Sequence, residues 1–141
     1  PFYPAAHLRP EIQKWSHSPI LILHGDSDNW TPLHFVESLL PQLPNGTLHT
    51  YVGAHHSFDS EKGLTYLPKA VHLKKRTAQI DKNGKMSGKL FLGIRFPLNE
   101  KWQRRWVIRI LRNRGAHMKG DPNARSDSLV RGKDFFTEQL S

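Results

Sequence analysis

The stretch Pro19-Ile20-Leu21-Ile22-Leu23-His24-Gly25 decides the fold that we expect. This apolar run is short and is bounded by a proline and a glycine, which favours a buried parallel strand over a helix. Asn45-Gly46 predicts a turn, and 47–52 is rich in strand-forming residues. Apolar residues recur at helical spacing between the two strands, at Leu33, Val36, Leu39, Leu40 and Leu43. A strand, a helix and a strand in this order predict a parallel, covered sheet and therefore an α/β fold.

The expected helix has recognisable ends. Thr31 is a candidate N-cap and Pro32 suits the first helical position. Pro41 and Pro44 should end the helix early, because proline lacks the N–H that an interior helical position needs.

The rest of the chain is less regular over 60–100, where we expect a hairpin of 77–80 and 89–92 around Asn83-Gly84. A helix is predicted over 100–113, with Asn99 as its cap and Gly115 as its stop. Asp121 should open a last helix that runs to about Leu140.

Composition and charge exclude several classes of site. The chain has 141 residues and no cysteine, so disulfides, cysteine-based metal sites and a cysteine nucleophile are absent. No apolar run approaches the roughly 20 residues that a membrane span needs. The net charge of +9 is concentrated late: residues 71–141 carry 17 basic and 6 acidic side chains.

Two polar stretches carry the chemistry. His24 to Pro32 follows the first predicted strand, and Gly53 to Asp59 follows the second. The carboxyl ends of parallel strands meet at one edge of a sheet, so Asp28 and His56 should come together there. A carboxylate would fix one imidazole nitrogen, and the other nitrogen would act as a general base.

The two stretches, Gly-x-x-Asp-x-Trp-Thr-Pro at 25–32 and Gly-Ala-His-His-x-Phe-Asp at 53–59, resemble the dienelactone hydrolase family of α/β-hydrolases. The resemblance implies the C-terminal part of an α/β-hydrolase fold. It places the triad acid on Asp28 and the triad histidine on His56. It further implies hydrolysis of a small ester or lactone, without a cofactor. Phe2-Tyr3-Pro4 resembles the strand that follows the nucleophile helix in that family, and the last helix is similar to the final helix there.

The chain departs from the family at the nucleophile, since no Gly-x-Ser/Cys-x-Gly elbow occurs in it. The chain begins at Pro1, and we expect a missing N-terminal half, or self-association, to complete the protein. Alone, it should be inactive. We divide its one partial domain into a triad region (1–59), a basic variable insertion (60–114) and a C-terminal helix region (115–141).

Other interpretations stay open at the site. Asp26 is the alternative acid, and an Asp before Thr-Pro also suits a helix cap. Trp30 would line the substrate pocket or belong to the core. His55 and His56 should not share a metal ion, because adjacent side chains of an extended backbone point apart. We therefore expect no metal site.

A second hypothesis is a non-enzymatic module that binds an anionic partner or nucleic acid through the basic segment 71–119. We expect no nucleic acid, because no RNA-binding motif accompanies the basic residues. We also expect no membrane association and a cytoplasmic protein. The basic side chains concerned are Lys74, Lys75, Arg76, Arg104, Arg105, Arg109, Arg112 and Arg114.

Overall fold

A computed structural model describes residues 8–10, 18–73, 78–81, 83–89 and 94–140. The strand expected at Phe2-Tyr3-Pro4 and the basic run Lys74-Lys75-Arg76 lie outside these residues. The elements, in chain order, are β1 (Leu8–Pro10), β2 (Ile20–Gly25), α1 (Leu33–Glu37), a 3₁₀ turn (Leu40–Gln42), β3 (Gly46–Tyr51), β4 (Thr65–Leu73), β5 (Ala78–Ile80), β6 (Met86–Lys89), β7 (Arg95–Pro97), α2 (Lys101–Leu111), β8 (Arg112–Met118) and α3 (Pro122–Leu140).

The predicted strand-helix-strand unit is present. β2 and β3 pair in parallel, with Ile20 opposite Gly46 and Gly25 opposite Tyr51. Successive side chains of β2 point to opposite faces. One face packs against the α1 side, in a cluster of Ile22, Phe35, Val36 and Leu43. The other face packs against α3, in a cluster of Leu23, Tyr51, Ala54, Phe58 and Ala124.

The helix between these strands is shorter than its apolar spacing predicted. α1 ends at Glu37, and a separate 3₁₀ turn follows at Leu40–Gln42, where Pro41 stands. The prediction that Thr31 caps the helix was wrong. Pro32 occupies the cap position without a side-chain cap, and the Thr31 hydroxyl donates to Asp28 instead.

The predicted last helix is confirmed as α3. The Asp121 carboxylate accepts hydrogen bonds from the backbone N–H groups of Asn123 and Ala124, both at 3.0 Å. This side-chain cap satisfies N–H groups that have no partner within the first helical turn. The Tyr51 hydroxyl donates to Asp127 at 2.9 Å and ties α3 to the end of β3.

The segment 60–118 differs most from the expectation. β4 pairs with β8 in an antiparallel ribbon, from Thr65 opposite Met118 to Leu73 opposite Arg112. The helix predicted over 100–113 ends at Leu111. Gly115 does not stop this helix but lies within β8 at a φ of 90°, against the ring of Tyr66. A strand therefore crosses the boundary that we expected between residues 114 and 115.

The predicted hairpin is confirmed, with a shifted second strand. β5 pairs antiparallel with β6, which begins at Met86 rather than at residue 89. The turn is tight because the Asp81 carboxylate accepts from the backbone N–H groups of Asn83 and Lys85, both at 2.8 Å. Part of the strand expected over 89–92 lies outside the described residues.

The hairpin belongs to a four-stranded sheet of order β1-β5-β6-β7. α2 packs on it through Val107, which forms a buried cluster with Leu98, and Met86 and Phe96 pack against this cluster. Asn99 does not cap α2, because its side-chain oxygen accepts the Met86 N–H at 3.0 Å. Among the described residues, no helix combines the length and apolar character that crossing a membrane requires.

The junction of the two parallel strands yields a stability prediction. A Cβ on Gly25 would overlap the backbone carbonyl of Ala54, whereas a Cβ on Gly63 would meet nothing within 4 Å. Gly25→Ala should therefore lower the free energy of unfolding by about 1–3 kcal/mol, as overpacked sites do. Gly63→Ala is the matched control. Urea titration of both variants checks this, and equal midpoints would show that the strand ends are not in such close contact.

Candidate active site

The ends of β2 and β3 place the two polar stretches side by side. The Asp26 N–H donates to the Tyr51 carbonyl at 3.1 Å, and the Ser27 N–H donates to the Ala54 carbonyl at 3.0 Å. These backbone hydrogen bonds join the loop after β2, residues 26–32, to the last residue of β3 and to the loop after β3, residues 52–60. The first we call the acid loop and the second the histidine loop.

Asp28 lies at the centre of the acid loop. Its side chain is fully buried, and its Oδ1 accepts the backbone N–H groups of Trp30 and Thr31, both at 2.8 Å. Its Oδ2 accepts the Thr31 hydroxyl at 2.7 Å and His56 Nδ1 at 2.8 Å. The structure therefore joins Asp28 and His56, the pair that the sequence predicted would meet.

The carboxyl group of Asp28 is held in its charged form. Burial alone would raise its pKa, since a buried charge loses its solvation. The hydrogen bonds from His56 and from the backbone and hydroxyl of Thr31 outweigh burial, so the pKa of Asp28 lies below its usual value. An ionised carboxylate only accepts hydrogen bonds, so His56 donates from Nδ1, and in the neutral form of the ring Nε2 is then the acceptor.

His56 is positioned by the strand that the sequence analysis missed. The backbone of His56 forms a parallel bridge with Met118 at the end of β8, and the His56 carbonyl accepts the Lys119 N–H at 3.1 Å. Ser57 then turns the chain at a φ of 61°, in the left-handed region. This turn sends Phe58, which is fully buried, into the core. These contacts hold the backbone on both sides of His56 in place. The side chain of His56 is 16% exposed.

Trp30 lies beside the imidazole. Its ring centroid is 4.7 Å from that of His56, at an interplanar angle of 40°. Its indole N–H donates to the Val71 carbonyl of β4 at 3.2 Å. The side chain is half-buried, so it neither belongs wholly to the core nor projects into solvent. Trp30 therefore contacts one side of the imidazole.

Asp26, the alternative acid, forms hydrogen bonds with Gly53 and Ser27 instead of with His56. Its exposed carboxylate accepts the Gly53 N–H at 2.7 Å and the Ser27 hydroxyl at 3.1 Å. It thus braces the start of the histidine loop. Of the two aspartates, Asp28 is the one whose carboxylate bonds to His56.

His55 takes no part in the hydrogen bond between Asp28 and His56. Its ring centroid lies 6.4 Å from that of His117, and its buried Nδ1 has no hydrogen-bond partner among the described residues. Within the described part of the chain, no group of three His, Cys, Asp or Glu side chains is arranged to hold a metal ion.

Two supporting contacts escaped the sequence analysis. Thr31 holds Asp28 by its hydroxyl, and its position directly after Asp-x-Trp was the only signal available. Asn29 bonds twice to His117 of β8. Its side-chain oxygen accepts the His117 N–H at 2.9 Å, and its amide donates to His117 Nδ1 at 3.1 Å. No local pattern indicates that second pairing, because 88 residues separate the partners.

Comparisons with known proteins add no relative to this geometry: no protein-family model, curated protein or solved structure matches the chain.

The charged state of Asp28 predicts a pH dependence. Because the folded pKa is below the unfolded one, the stabilisation is complete above the unfolded value of about 4 and is lost as the pH falls through the folded pKa. Asp28→Asn should lower the free energy of unfolding by about 1–3 kcal/mol at neutral pH. The asparagine NH2 group and the Nδ1–H of His56 are both donors, so the hydrogen bond between the two side chains would be lost.

Urea unfolding of wild type and Asp28→Asn, repeated between about pH 3 and pH 8, checks this. The difference between the two proteins should shrink on acidification. Asp26→Asn, at an exposed carboxylate for which we expect a smaller effect, is the control. A wild-type to Asp28→Asn difference that stays constant with pH would contradict the lowered pKa.

Proposed function

We propose that this chain carries the acid and the base of a hydrolase that cleaves small esters or lactones with a Ser/Cys-His-Asp triad. Asp28 is the triad acid and His56 the base. The nucleophile comes from polypeptide outside these 141 residues. The observation that supports this most directly is the 2.8 Å hydrogen bond between His56 Nδ1 and the buried Oδ2 of Asp28.

The chemistry follows from the protonation states. Asp28 keeps the proton of the neutral imidazole on Nδ1, so Nε2 accepts the proton of a serine hydroxyl or cysteine thiol as that group attacks the carbonyl carbon. The carboxylate stabilises the imidazolium that forms. His56 then protonates the leaving alkoxide, and the acyl group stays on the nucleophile. A water molecule, deprotonated by His56, attacks the acyl carbon. The bond to the nucleophile breaks, the nucleophile regains its proton from His56, and the acid is released. The net reaction consumes one water per ester or lactone bond, and no cofactor takes part.

The proposed N-terminal half needs an apolar surface on which to pack. β2 and β3 form a sheet of two strands, and an apolar groove of about 370 Å³ runs along β2. Ile20, Leu23, Phe135 and Phe136 are among the residues that line it. We propose that β2, α1, β3 and α3 are the last elements of an α/β-hydrolase fold. The missing N-terminal half, or a second copy, would cover this groove.

Trp30 is proposed to contact the substrate. Its ring centroid lies 4.7 Å from that of the imidazole, and the ring would border the acyl or leaving group during attack. The cytoplasmic location stays a prediction.

The second candidate function is binding of an anionic partner through the basic segment 71–119. It is favoured by α2, whose sequence Lys-Trp-Gln-Arg-Arg-Trp-Val-Ile-Arg-Ile-Leu contains four basic residues and no acidic one. This function is compatible with the first, since α2 contributes no residue to the Asp28–His56 pair.

Ester hydrolysis tests the proposal in two stages. In the first, the 141-residue chain and its His56→Ala variant should hydrolyse p-nitrophenyl acetate no faster than buffer, because no activated nucleophile is present. A wild-type rate clearly above that of His56→Ala would place the nucleophile within these residues.

In the second stage, the polypeptide encoded upstream is supplied together with the chain. Hydrolysis should appear and should fall by at least about 1000-fold in His56→Ala, as triads do when a member is removed. His55→Ala is the matched control and should retain most of the activity. A fluorophosphonate or iodoacetamide probe should label the upstream polypeptide, as intact mass would show. Equal activity of the His55 and His56 variants would refute His56 as the base.

A further inference from the structure

One face of α2 combines exposed aromatic surface with positive charge. Trp102 is 62% exposed, Trp106 46% and Ile110 43%. The three residues follow one another at intervals of four, so they form a single stripe along the helix. Val107 lies next to this stripe and is 5% exposed, since it anchors α2 to β6 and β7. The anchoring side and the exposed stripe are thus different parts of the apolar surface.

The sheet supports the stripe from below. The ring centroid of Phe96 lies 5.2 Å from that of Trp106 and 6.4 Å from that of Trp102. Contact with Phe96 limits the orientations of the two indoles while leaving much of each exposed. Ile94, 63% exposed, lies two residues before Phe96 and adds aliphatic surface. A rigid, exposed apolar stripe of this kind is characteristic of a surface that binds something.

The charges point to the kind of partner. Arg105 and Arg109 follow Trp102 and Trp106 by three residues, so each arginine flanks a tryptophan on the helix surface. Lys101 and Arg104 continue the basic side, and all four basic side chains are exposed. α2 carries no acidic residue. A partner that contacts both the apolar stripe and the basic side chains beside it must have an apolar region bordered by negative charges.

We propose that α2 lies on the surface of an anionic lipid bilayer, contrary to the expectation from the sequence that the protein does not associate with membranes. The Trp102–Trp106–Ile110 stripe enters the boundary between headgroups and acyl chains, and Arg105 and Arg109 bind lipid phosphates. Tryptophan prefers this boundary, and arginine reaches back to the headgroups along its apolar stem. An exposed Ile110 and Ile94 favour a bilayer over a nucleic acid, because stacking on bases uses aromatic rings and not aliphatic groups.

The length of α2 adds a requirement. Eleven residues bury little apolar area, so the stripe alone gives weak attachment and the anionic headgroups must contribute. Binding should therefore need anionic lipid and should weaken as salt screens the charges. This attachment does not depend on the proposed hydrolase function, since the Asp28–His56 hydrogen bond involves no residue of α2.

Vesicle sedimentation with the 141-residue chain tests the proposal. The chain should pellet with vesicles that contain about one third phosphatidylserine and not with pure phosphatidylcholine, because basic residues bind anionic surfaces. Trp102→Ser with Trp106→Ser should abolish pelleting. Arg105→Gln with Arg109→Gln should weaken partitioning about thirty-fold, or about five-fold per charge. Lys69→Gln with Lys133→Gln removes two charges elsewhere and should have little effect.

All the substituted side chains are exposed, so the variants should keep the wild-type far-ultraviolet circular dichroism. In the wild type, tryptophan emission should shift to shorter wavelength on the anionic vesicles. Equal binding to neutral vesicles, no binding, or an equal loss in the lysine control would overturn the proposal. Binding of a single-stranded oligonucleotide without binding of vesicles would do so in favour of nucleic acid.

Discussion

A carboxylate that is closed off from solvent must find its hydrogen bonds within the protein, and Asp28 finds four of them. Two come from the backbone of its own loop, one from the Thr31 hydroxyl and one from His56. Leaving any of these out would cost more than an exposed bond, because a buried charge has no water to replace a lost partner. The folds of the acid loop and the histidine loop are therefore coupled through one side chain.

That coupling extends into the ribbon of β4 and β8. Trp30 reaches Val71, Asn29 reaches His117 and the backbone at His56 pairs with Met118. The ribbon lies largely in the segment that the sequence suggested was a variable insertion. It nevertheless contacts the loop of the carboxylate and the loop of the imidazole. The ribbon thus holds the acid loop and the histidine loop in position relative to each other.

The sequence predicted those features that short-range patterns determine. The apolar run at β2, the turn at Asn45-Gly46 and the Asp121 cap are all local, and the parallel pair that they imply brings Asp28 to His56. The pairing of β4 with β8 was missed because its partners are more than 35 residues apart along the chain and β4 contains Pro68 and Lys69. Thr31 was misassigned as a cap because the nearby buried carboxylate competes for its hydroxyl, and only the tertiary structure shows that carboxylate.

Main-chain contacts also hold the ends of β2 and β3 together, beside the side-chain hydrogen bonds of Asp26 and Asp28. Asp26 and Ser27 offer backbone N–H groups to backbone carbonyls, and Gly25 approaches the carbonyl of Ala54. Such contacts survive most side-chain replacements at the positions that make them. The distance between the Asp28 carboxylate and the His56 imidazole is for that reason little affected by substitutions at neighbouring exposed positions. The rim of this site could diversify over evolutionary time, or in a laboratory library, while its central pair stays in register.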